Sequence, residues 1–153
     1  MALAEDGLIT WFATFMTGEV FGVLREHSIL GRLMAGDAPD DAAFARGLAY
    51  AREGPGGLLK RLFSARTLGL FDRLPASGGA SYLSGLLIGS EIAEALPCLP
   101  AGAQGEVTVI GDSALAERYR QAIEATGLRA RTGAAVAGAR GQLLIARAAG
   151  LLP

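Results

Sequence analysis

The chain has 153 residues, room for one compact domain or at most two small ones. Its 51% hydrophobic and 19% charged content excludes intrinsic disorder, and a mean hydropathy of +0.36 points to apolar surface reserved for a partner. A net charge of −1 supplies no basic face for nucleic acid, and a lone cysteine, Cys98, beside a lone histidine, His27, excludes an intramolecular disulfide and argues against a zinc centre.

The first fifteen residues read as a hairpin, because Asp6-Gly7 is a favoured two-residue turn and Leu8–Phe15 is rich in Ile, Thr, Trp and Phe. Glu5 and Asp6 precede the apolar run with no basic region, which is not the pattern of a secretory signal. Thr17 offers an N-cap oxygen, and Val20, Phe21 and Leu24 recur at helical spacing, predicting a helix over residues 17–27. Asp40 caps a second helix, with Phe44, Leu48 and Ala51 on its apolar face, and Gly54-Pro55-Gly56-Gly57 ends it. Residues 58–71 form a third helical stretch with an interruption near Gly69, carrying the basic cluster Lys60, Arg61 and Arg66. From Ala80 to Leu96 the pattern is a long buried helix in which Ser81, Gly85, Gly89 and Ala93 form a stripe of small residues for close packing. That stretch contains Glu91 and Glu94 and falls short of a membrane span.

The last third alternates strand and helix. Residues 106–110 are a short β-branched strand, Gly111-Asp112-Ser113 a tight turn with a cap, and Leu115, Tyr119, Ala122 and Ile123 an amphipathic helix face that ends at Gly127. Residues 128–131 read as a half-exposed strand and residues 136–149 as an alanine-rich helix. This is a β-α-β-α unit, and the fold class is α/β. The expectation is a single domain over residues 1–153, soluble and cytoplasmic, with neither nucleic acid nor membrane as partner.

Chemistry in an α/β layer concentrates beyond the carboxyl ends of strands, where the next helix presents free N–H groups. Gly111 there lets a ligand approach the backbone, Asp112 offers an acceptor to a ribose hydroxyl, and Ser113 offers a cap or donor. The same trio is also ordinary turn and cap chemistry. Thr17-Gly18-Glu19 is a second strand-to-helix junction, where Glu19 is stabilised by the helix dipole whatever its use. Arg66 sits among Leu62, Phe63, Leu68 and Leu70, a setting that asks for an anionic partner: Glu91, Glu19 or a substrate carboxylate. No GxxxxGK[ST] loop, GxGxxG fingerprint or GxSxG elbow is present, and no metal site or catalytic residue is read from the chain.

Several segments, taken in order, resemble the 2-dehydro-3-deoxygalactonokinases. They are Phe15-Met16-Thr17-Gly18-Glu19 with Leu24 and His27-Ser28, Phe44 with Gly47-Leu48, and Leu62-Phe63 with Arg66. Tyr82-Leu83-Ser84-Gly85-Leu86-Leu87-Ile88-Gly89-Ser90-Glu91 follows, then Val109-Ile110-Gly111 with Ser113, and Arg118-Tyr119 with Ala122. The resemblance implies the C-terminal lobe of an actin-like, ribonuclease H-like sugar kinase that uses ATP and Mg2+ to phosphorylate a keto-deoxy sugar acid. It places Gly111 and Ser113 under the adenosine end of the nucleotide, Thr17, Gly18 and Glu19 toward the interlobe cleft, and Arg66 and Glu91 near either substrate or each other. Asp112 and the Gly/Ala-rich run 134–142 depart from the family pattern. The resemblance also implies that Mg2+ handling and the catalytic base belong mainly to an N-terminal lobe, which becomes the expected partner of the spare apolar surface. An isolated chain is then expected to be inactive and to self-associate as a homo-oligomer. The competing expectation is a non-catalytic α/β module that binds or dimerises through apolar helices.

Overall fold

The computed structural model describes residues 1–6, 8–100 and 105–152. It is a mixed α/β arrangement with a helical majority, dividing into two compact units, Met1–Ala103 and Gln104–Pro153.

The first unit opens with the expected hairpin, β1 (Ala2–Glu5) antiparallel to β2 (Leu8–Phe12), with Leu3 opposite Trp11 and Glu5 opposite Leu8. Asp6 takes the turn with φ 50°, a left-handed conformation that Asp tolerates better than most residues. Among the described residues these strands pair only with each other. A bulge between Ile9 and Trp11 puts Ile9 and Phe12 on one face and Leu8 on the other, and they are 70%, 71% and 70% exposed, so both faces of β2 carry uncovered apolar side chains.

Four helices follow, joined by short loops and 3-10 turns: α1 (Thr17–His27), α2 (Asp41–Arg52), α3 (Leu58–Leu70) and α4 (Gly79–Ala95). Asp40 caps α2 as its sequence position predicts, Oδ1 accepting from the Ala43 N–H at 2.8 Å. Thr17 does not cap α1. It is already the first helical residue, the cap position is Met16, and no side chain caps that end. The expected break near Gly69 is also absent. Leu33 packs 3.3 Å from where a Gly69 side chain would begin, so the glycine serves a tertiary contact inside an unbroken helix.

Helix α4 is apolar on every side, and thirteen of its seventeen residues are buried. One side carries Tyr82 and Leu86 into a cluster with Ala43, Ala51, Ala65 and Leu74. Another carries Leu83 and Leu87 against Leu30, flanked by Phe21 and Leu24 of α1 and Leu62 of α3. The stripe of small residues packs on α2, as its spacing predicts. A Cβ on Gly85 would press into the Phe44 carbonyl, and one on Gly47 of α2 into the Tyr82 carbonyl, so the two backbones touch through their glycines. The stripe stops at Gly89, because Ala93 is exposed.

The second unit holds β3 (Val107–Val109), α5 (Ser113–Glu124), β4 (Ala130–Thr132) and α6 (Ala137–Ala148). β3 and β4 are parallel, Val107 facing Ala130 and Val109 facing Thr132, which is the predicted β-α-β-α order with shorter strands. Gly127 follows α5 at φ 88°, the conformation that favours glycine after a helix. Of the expected face of α5, Ala122 and Ile123 are buried and Ala116 joins them, whereas Leu115 is 49% exposed and Tyr119 only half-buried.

Two glycine substitutions separate backbone contact from helix propensity. Gly85→Ala should destabilise the protein by about 3 kcal/mol, because a carbonyl cannot move aside as a side chain can. Gly22→Ala in α1, where an added Cβ meets nothing within 4 Å, should stabilise it by about 0.5–1 kcal/mol. Urea denaturation of the two variants checks both signs.

Candidate functional site

The turn between β3 and α5 is built by the strand's end and the helix's start. Val109 closes the parallel ladder by accepting from the Gly133 N–H at 2.7 Å, and Ile110 leaves the sheet 56% exposed. Gly111, Asp112 and Ser113 are all exposed. An added Cβ on Gly111 would meet nothing within 4 Å, so open space lies beside this backbone. Asp112 is the N-cap of α5, its Oδ1 accepting from Ala114 N–H at 3.0 Å and Leu115 N–H at 3.3 Å. Its Oδ2 makes no described contact. The cap role that the sequence left open to Ser113 thus belongs to Asp112, and Ser113 is the first helical residue.

Asp112 decides what this turn can accept. A carboxylate already satisfies the amides and the positive end of α5, so a phosphate there meets like charge and no vacant N–H pair. A neutral polar ligand is compatible with the exposed Gly111 backbone and with Oδ2 as an acceptor for a hydroxyl.

Helix α5 is held further along by Arg120, which bonds Glu117 at 2.5 Å one turn back and Glu124 at 2.5 Å one turn on. The Arg120 guanidinium, with Gln121 in support, holds the Glu117 carboxyl down to about 2. Its ordinary value is 4.5, so support from this pair is complete above that pH and is lost only as pH falls toward about 2. Glu106 and Arg131 pair at 2.8 Å across the two strands.

The remaining candidates lie in the first unit. Thr17 is half-buried at the start of α1, with Gly18 and Glu19 exposed beside it. Arg66 on α3 donates from Nη1 to the Ile29 carbonyl at 3.0 Å, so its described partner is a backbone oxygen where the sequence suggested a carboxylate. Glu91 is half-buried on α4 and has a partner of its own. Among the described residues no group of three or more His, Cys, Asp or Glu is placed to hold a metal ion, and no helix is long and apolar enough to cross a membrane.

Residues 1–145 match the family described as 2-keto-3-deoxy-galactonokinase. This chain belongs to that family. A relative from Rhizobium meliloti (strain 1021), named "Probable 2-dehydro-3-deoxygalactonokinase DgoK1", is 38% identical over 84% of this chain and 42% of its own length. The Escherichia coli (strain K12) protein named 2-dehydro-3-deoxygalactonokinase is 33% identical over 81% of this chain and 41% of its own. A crystal structure from Sinorhizobium meliloti, assigned as a 2-dehydro-3-deoxygalactonokinase, superposes with a TM-score of 0.80 at 37% identity, over 96% of this chain and 50% of that one. The chain therefore spans less than half the length of the curated relatives it matches.

For this 2-keto-3-deoxy-galactonokinase family chain, the cap at the Gly111 turn is directly testable. Asp112→Ala should cost about 1 kcal/mol and fray the first turn of α5, whereas Asp112→Asn, which keeps the acceptor oxygen, should cost only a few tenths. Thermal melts, with amide exchange at Ala114 and Leu115, check this.

Proposed function

We propose that this chain is the C-terminal lobe of an actin-like sugar acid kinase, and that the Gly111 turn receives the adenosine end of ATP. The observation that carries this reading is the pairing of an open backbone at Gly111 with a carboxylate cap at Asp112. That turn suits the uncharged end of a nucleotide and turns its phosphates elsewhere. Asp112 Oδ2 is the acceptor available to a ribose hydroxyl. The overall reaction is ATP-dependent phosphorylation of 2-dehydro-3-deoxy-D-galactonate, the γ-phosphoryl group passing to a sugar hydroxyl as that hydroxyl loses its proton. Such transfers depend on positioning and charge neutralisation by groups from both sides of a cleft. In this reading Thr17, Gly18 and Glu19 are the first unit's contribution to the cleft, and an N-terminal lobe supplies the catalytic base and the carboxylates for Mg2+. The described residues offer no group of three or more His, Cys, Asp or Glu placed to hold Mg2+.

The uncovered apolar side chains of the hairpin support the same division. Ile9 and Phe12 on one face and Leu8 on the other are apolar area that water disfavours and that an N-terminal lobe would cover. The competing reading, a non-catalytic module that dimerises, draws on the same exposed residues.

Two measurements test the proposal. Because Gly111 has space around it, Gly111→Val should leave the melting temperature unchanged while weakening ATP binding by about tenfold or more in calorimetry. Unchanged affinity would remove the turn from the site. The chain alone should self-associate in light scattering and give negligible ADP release with keto-deoxygalactonate; robust turnover would overturn the division between lobes.

A further inference from the structure

We infer that the junction between α2 and α3 is a binding pocket for a small anion, a carboxylate or a phosphate group. The pocket is about 270 Å3 and is lined by Tyr50, Glu53, Gly54, Pro55, Lys60 and Arg61. Lys60 is the only lysine of the chain, exposed but tethered to the loop that precedes α3. Its Nζ donates to the Pro55 carbonyl at 3.2 Å, and its stem lies across Gly56, where a Cβ would sit 2.7 Å from Lys60 Cδ. Gly56 has φ 123°, so this loop admits Lys60 by giving up a side chain and by using a conformation that favours glycine.

Arg61 is fixed from the same side. Its Nη2 donates to the Glu53 carbonyl at 2.8 Å and the Gly54 carbonyl at 3.0 Å. Both cations are therefore positioned by neutral carbonyl oxygens, and neither has a carboxylate partner among the described residues. A salt bridge would have spent their charge; carbonyl contacts leave it, together with N–H donors that no described acceptor takes. Glu53 is the one acid in the lining, and its carboxylate pairs with neither cation. Two held positive charges beside one exposed negative charge leave the pocket net positive, and Tyr50 lines the remaining side. Just beyond the end of α2, the Glu53, Gly54 and Pro55 carbonyls are therefore turned to Lys60 and Arg61 rather than to the ligand. This site stands apart from the kinase reading: it shares no residue with the Gly111 turn or with Thr17, Gly18 and Glu19, and its test needs neither ATP nor a sugar acid.

The test is an NMR titration of the chain with inorganic phosphate and, separately, with acetate, at constant ionic strength. Saturable shifts are expected at the Gly54, Gly56 and Gly57 amides. Lys60→Met should weaken binding by about tenfold or more, the loss of one charge-assisted hydrogen bond. Lys60→Arg should retain binding, and so should Arg147→Met on α6. Lys60 is exposed, so the methionine variant should melt as the parent does. A response to phosphate alone assigns the pocket to phosphoryl groups, and one to acetate alone assigns it to carboxylates. Equal responses assign it to both. No saturable response to either probe, or equal affinity in Lys60→Met, overturns the inference.

Discussion

The contact on which the first unit depends is backbone against backbone. Gly47 of α2 faces the Tyr82 carbonyl of α4, and Gly85 of α4 faces the Phe44 carbonyl of α2, so each helix is notched where the other is widest. Other interactions take their positions from this approach. The Asp40 N–H reaches Ser81 Oγ at 3.0 Å, which ties the cap of α2 to the early part of α4. The buried Tyr82 hydroxyl meets Ser64 of α3 at 2.8 Å, and Arg46 lies 6.0 Å above the Tyr82 ring while donating to the Arg73 carbonyl. Burial pushes the Tyr82 phenol above its ordinary value despite the hydrogen bond with Ser64 and the nearby Arg46. Widening the gap between α2 and α4 would detach this set of polar contacts together with the apolar clusters.

Much of this arrangement was legible in the residues, and the misses share a cause. Local signals that act through the chain's own backbone gave correct elements: Asp40 as a cap, Asp6 in the hairpin turn, Gly127 after α5, and the span of α1. Signals whose meaning depends on a distant partner were ambiguous. Gly69 reads as a breaker until Leu33 is seen packed beside it. Ala93 continues a stripe in sequence but lies beyond the reach of α2. Leu115 and Tyr119 share an apolar face with Ala122 and Ile123 on spacing, yet beside a two-stranded sheet only Ala122 and Ile123 of the four are buried, with Ala116. A short sheet is too narrow to cover a whole helix face.

The site shows the same division. The place of Gly111-Asp112-Ser113 at a strand's carboxyl end follows from pattern alone, but the chemistry turned on which of two polar residues capped the helix. Asp112 rather than Ser113 holds the amides, and this converts a generic anion-favouring terminus into one already neutralised. Arg66 carried an expectation of charge pairing because its neighbours are apolar; the fold brought Ile29 from 37 residues away to meet it with a carbonyl. Lys60 and Arg61 were visible as a basic cluster after a glycine-proline loop. Nothing in the sequence showed that the loop's own carbonyls would hold them still.

The burial of α4 also governs how the protein opens. Helices α1, α2 and α3 all pack on it, so its central amides cannot reach solvent while those neighbours stay docked. Exchange there requires the first unit to come apart as one cooperative piece, with a free energy near that of its global unfolding. The parallel pair β3 and β4, three residues each, has no such cover of helices on every side, and parallel pairing is the weaker kind. Deuterium therefore enters the strands beside the Gly111 turn long before it enters α4. The part of the chain read as meeting a nucleotide is the part that breathes, while the glycine-notched helix keeps the slow clock.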